Sequence, residues 1–140
     1  MSNWRADLVH RALFGLALAL AACASGGSGE SRTVVPITDL GSVAGRWDGL
    51  LSGPWTPREQ EDFVEVMIGV DGTYQGRSVR TIGVLQGRGS VEVRDGALLF
   101  KGSRGTGTGR LVAIGGRRVL EIELTTPEGR AVSARLSPKR

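Results

Sequence analysis

From residue 63 onward, turn signals recur so closely that the segments between them have room only for short strands joined as hairpins. In the run 63–70, Val64, Val66, Ile68 and Val70 fall on one side of a period-two alternation, and Asp71-Gly72 then offers the left-handed pair favoured in tight hairpin turns. Asp95-Gly96 follows the run 91–94 in the same way, Gly115-Gly116 follows 111–114, and Pro127-Glu128-Gly129 follows 120–124. Strands are predicted near 42–51, 63–70, 73–79, 81–86, 89–94, 97–102, 109–114, 117–125 and 130–137, with one or two merging into eight or nine. Connections this short permit antiparallel neighbours and leave no room for the crossover that a parallel pair requires. An open sheet would leave unpaired edges and a bare apolar face, so the expected fold is all-β, an antiparallel up-and-down meander of about eight strands closing into a small barrel. One short helix, ending by Asp62, is expected in the first long loop, where Thr56-Pro57-Arg58-Glu59 combines an N-cap, an N1 proline and a capping-box glutamate.

Alternation assigns the interior. Val64, Val66, Ile68, Val84, Val91, Val93, Leu98, Phe100, Leu111, Leu120, Ile122 and Leu136 fall on one face and supply bulk enough to fill a short eight-stranded barrel. The aromatic anchors are Trp47, Trp55, Phe63, Tyr74 and Phe100. Gly45-Arg46-Trp47, at the entry of the first expected strand, resembles the Gly-x-Trp signature of lipocalins and related up-and-down barrels. That resemblance implies that Trp47 packs across one end of the barrel. Parity agrees, grouping Trp47 with Val43 and Leu51 and away from Arg46 and Asp48. Lipocalins are longer and set an arginine near the chain end against the tryptophan; here Arg135 alternates against Ala134 and Leu136 and is expected to point outward. A smaller lipocalin-like barrel, similar in size to bacterial inhibitor barrels, is the expectation.

The first residues have another character. Arg5 and Arg11 flank an acid, Asp7, and the run 12–22 is apolar and ends in small residues, the layout of a secretory signal and too short to span a bilayer, which takes about 20 apolar residues. Leu20-Ala21-Ala22-Cys23 resembles the lipobox of bacterial lipoproteins. The resemblance implies cleavage before Cys23 and thioether attachment of diacylglycerol to its sulfur; the alternative is an ordinary secretory signal cut near Ala22. Residues 24–31 are rich in Ser and Gly, a flexible tether. The expected organisation is a signal peptide over 1–22, a lipidated N-terminus and tether over 23–33, and a barrel domain over 34–140. Two or more acyl chains anchor stably, which implies a cell-envelope location. By resemblance to lipoprotein sorting, Ala24 favours the outer membrane, facing the periplasm, in a host with two membranes.

Removing residues 1–22 leaves sixteen basic and thirteen acidic side chains, about +3, with Arg and acidic positions interleaved, so nucleic acid is not an expected partner. The only histidine, His10, and the only cysteine, Cys23, lie in or at the edge of the signal, which removes thiol–imidazole, serine–histidine and histidine–zinc chemistry from the barrel. Glu92, Glu121 and Glu123 alternate with apolar residues as the wet faces of strands. No enzyme activity, cofactor or metal is expected. The glycine-rich run 102–110 lacks the Lys-Ser/Thr ending of a phosphate loop and is expected to be a mobile hairpin tip; if it binds anything, Arg104 and Arg110 would meet an acidic glycan or phosphate. Trp55, between Pro54 and Pro57, is expected to cap the barrel mouth or to contact a partner. Two functional classes follow: a packed barrel acting through its surface on an envelope protein as adaptor or inhibitor, favoured by the interior bulk, or a hollow one carrying a small apolar ligand.

Overall fold

The computed structural model describes residues 30–53, 61–80 and 83–140. Nine strands run β1 Arg32–Val35, β2 Gly45–Ser52, β3 Asp62–Ile68, β4 Thr73–Arg80, β5 Gly83–Arg94, β6 Ala97–Gly102, β7 Gly105–Ile114, β8 Arg117–Thr125 and β9 Ala131–Pro138. Strands β2 to β9 form the expected antiparallel meander, and β9 pairs back onto β2 from Trp47↔Pro138 to Ser52↔Ser133, so eight strands close into a barrel. Closure removes both free edges that an open meander would expose.

The ninth strand was not expected. Pairing of β6 with β7 stops at Leu98↔Gly109, and β1 takes the vacated edge of β7 from Arg32↔Ile114 to Val35↔Leu111. Ordered structure therefore claims Arg32 and Thr33, which the sequence reading left in the tether. From β1 the chain passes the β5–β6 turn, where Ile37 N–H donates to the Gly96 carbonyl at 2.9 Å, and enters a single 3-10 turn, Leu40–Ser42, capped by Asp39. The expected segments 81–86 and 89–94 are one strand, β5. The expected helix near Thr56-Pro57 and the indole of Trp55 lie outside the described residues.

The turns follow their dipeptides with one exception. Asp95 and Gly96 both take positive φ, 51° and 76°, as do Gly115 and Gly116, the mirror-image geometry that matches strand twist. At Asp71-Gly72 only the glycine is left-handed (φ 81°). Gly69 N–H donates to the Thr73 carbonyl, so Val70-Asp71-Gly72 make a three-residue loop and Val70, expected inside with Ile68, is 72% exposed at its tip. Asp71 instead accepts hydrogen bonds from the Thr73 amide and hydroxyl, which lower its carboxyl pKa.

Inside, Ile68, Leu98, Phe100, Leu120 and Leu136 are fully buried, with Val64, Val66, Val91, Leu111 and Ile122 around them and Val93 packed against the cluster. Phe63 is no anchor: it lies on the outer face, half exposed, directly across from exposed Leu50. Of the glycine-rich run only Ser103-Arg104 is a hairpin tip, the β6–β7 turn. Residues 105–109 are strand, and Gly109 is buried where a Cβ would stand 2.8 Å from the Phe100 ring. Glycine there is what lets the ring lie against β7.

Candidate functional site

Among the described residues the barrel has a closed end and an open end. At the closed end, where β2 begins, the N-terminal segment crosses the lumen and contributes Ile37 and Val43, 2% and 1% exposed. Trp47 packs beneath them, and its indole N–H donates to the Val43 carbonyl at 2.8 Å, leaving no buried polar atom of that ring unsatisfied. The Arg118 guanidinium lies 5.7 Å from the Trp47 ring centroid and hydrogen-bonds the Ser42 carbonyl. One cation thus ties the 3-10 turn to the tryptophan. The sequence placed Trp47 correctly and missed Arg118, because Arg117-Arg118 reads as the solvated start of a strand. As expected, Arg135 points outward, to Glu121 at 3.3 Å.

Toward the open end the filling stops. The edge-to-face pair Tyr74–Phe100, with ring centroids 5.1 Å apart, borders an internal cavity of about 90 Å³ whose apolar wall includes Leu51, Val64, Val66, Ile122 and Val132. Burial raises the Tyr74 pKa above the ordinary phenol value. Gly76 and Gly87 stand opposite each other in this wall, and the Arg104 stem packs against Gly87 while its Nε donates to the Gln86 carbonyl at 2.7 Å. Arg104 is therefore a clasp at the cavity mouth. Arg110 sits six residues further along, exposed on β7 and opposite Glu121, roughly 20 Å away at strand rise. The two arginines that the sequence grouped do not converge. Trp55 and Cys23 lie outside the described residues.

Two charged arrangements occupy the outer wall. Glu121 accepts from Arg32 at 2.6 Å and from Arg135, joining β1, β8 and β9; in register, the Arg32 bridge crosses Val112, which faces outward yet is 1% exposed. On the other side, β2 to β5 present a groove of about 670 Å³ with Arg46, Arg77 and Arg88 along it. Lys139 bridges Glu65 at 2.6 Å and lies 3.9 Å from Asp48. Its hydrogen bond and charge lower the Glu65 pKa, with smaller contributions from Arg46 and Arg77. Sequence parity put Arg46 outside but could not show that Arg46, Arg77 and Arg88 share a face, which depends on register.

Among the described residues no three or more His, Cys, Asp or Glu side chains are grouped as metal ligands. Comparison with known protein families, with curated proteins and with solved structures returns no match.

Proposed function

We propose that this chain is a cell-envelope lipoprotein, held to the bilayer by acyl chains on Cys23, whose barrel works through its outer surface as a non-catalytic adaptor or inhibitor. The observation that carries the surface reading is the size of the lumen. Ligand pockets run to about 300–1,000 Å³, and among the described residues the interior leaves about 90 Å³ once Trp47, Ile37, Tyr74 and Phe100 are in place. The lipobox Leu20-Ala21-Ala22-Cys23 and the Ser/Gly stretch after it support the anchor, and a host with two membranes would carry the protein on the periplasmic side of the outer one.

Fatty-acid labelling of wild type and Cys23→Ser tests the anchor. Label and membrane fractionation are both lost in the variant, and an unchanged pattern would overturn the placement. The apolar wall of the cavity favours a second reading, a carrier of one very small apolar molecule. Native mass spectrometry separates the two: a retained small mass supports the carrier, a bare chain the surface module.

A further inference from the structure

We infer that the groove on the outer face of β2–β5 is a binding site for an anionic glycan. This deepens the surface reading by naming the partner's chemistry, and it does not depend on the lipid anchor. Pairing register builds the site. Arg46, Met67, Gln75 and Arg88 stand side by side across four strands, and Arg77 and Gln86 stand side by side in the next row, next to Glu65. At about 4.8 Å per strand the first row spans about 14 Å, a length suited to an oligomer and not to a lone ion.

Lys139 bridges Glu65 and lies 3.9 Å from Asp48, and although the charges of Arg46 and Arg77 also act on Glu65, among the described residues no carboxylate lies within ion-pair distance of Arg46, Arg77 or Arg88. All three guanidinium groups belong to exposed residues and are left to bind an outside oxyanion, for which their planar two-pronged geometry is suited. Between them, exposed Gln75, Gln86 and Ser103 offer amide and hydroxyl groups that can hydrogen-bond sugar hydroxyls. No aromatic ring lines the groove among the described residues, so the stacking on which single-stranded nucleic acids rely is missing. A recessed site also suits an extended chain better than a flat bilayer.

The test uses the full-length protein in detergent, with a heparin octasaccharide and a polygalacturonate oligomer as probes. R46A/R77A/R88A is expected to weaken binding of at least one probe by about thirtyfold, against under about threefold for R94A/R110A/R117A, which removes the same charge from exposed positions elsewhere. The central single variant R77A, expected to lose about fivefold, serves if the triple variant does not fold. Equal losses in the two triple variants, or no binding of either glycan, would overturn the site. Tighter binding of an oligothymidine or of phosphatidylglycerol vesicles, abolished by the same three substitutions, would overturn it in favour of those partners. Cys23→Ser binds the glycan like wild type, so failure of the anchor and failure of the groove are read separately.

Discussion

The two ends of the barrel are finished differently. At one, a crossing segment, a tryptophan and an arginine leave no space; at the other, glycines face each other and an arginine stem stands where a side chain could. Stability in this small domain is concentrated at one end. A fold of this size depends on a few well-packed large side chains, and here they gather at the end that the N-terminal segment covers. The open end and the outer wall are left freer to change.

The contrast is easiest to break at Trp47. Trp47→Ala should cost about 3–5 kcal/mol, enough to unfold a marginal domain, whereas Val132→Ala beside the existing cavity should fall at or below the low end of the range for buried truncations, about 2 kcal/mol, both read by denaturant titration. Gly109→Ala should cost about 1–3 kcal/mol, because its Cβ would meet the Phe100 ring at 2.8 Å in a fully buried spot. Adding volume sharpens the comparison further. Val43→Leu at the closed end should destabilise by about 1–3 kcal/mol, while Ala134→Val, aimed into the cavity, should be neutral or gain up to about 1 kcal/mol. If both behave alike, the ends do not differ in packing.

Smaller effects follow at the lip and the cavity border. Arg118→Ala should lower stability by about 0.5–1 kcal/mol through the lost cation–ring contact, and Arg118→Lys should restore part of it. Tyr74 is the chain's single tyrosine, so its ionisation can be followed directly by absorbance. Its folded pKa is raised by burial; the stability linked to the neutral phenol is complete below the unfolded value near 10 and is lost as pH rises through the folded one. Tyr74→Phe should flatten that alkaline decline, and an unchanged slope would show that the ring is wet.

How much of this was legible in the sequence differs by feature. Alternation in 64–68 and 120–124 located the interior, because a barrel wall is apolar on one side only, and Asp95-Gly96 and Gly115-Gly116 marked turns whose geometry needs those residues. Strand β1 was illegible: Arg32-Thr33-Val34-Val35 is short and runs into Pro36, and it becomes a strand only because β7 outruns β6. The glycines of 105–109 looked like a loop because glycine is a weak strand former, whereas the reason for Gly109 is a ring on the neighbouring strand, nine residues earlier. The basic groove was hidden for a related reason. Arg46, Arg77 and Arg88 are far apart along the chain, and only pairing register sets them side by side.

The β2–β9 seam has a bearing on biogenesis. Its two strands come from opposite limits of the meander, so a nascent chain still lacking residues 131–138 cannot close, and the flanks of β2 and β8 stay available to any other strand nearby. Closure of the barrel then waits for the last strand, and the interval before the seam zips is when a holding chaperone would matter most.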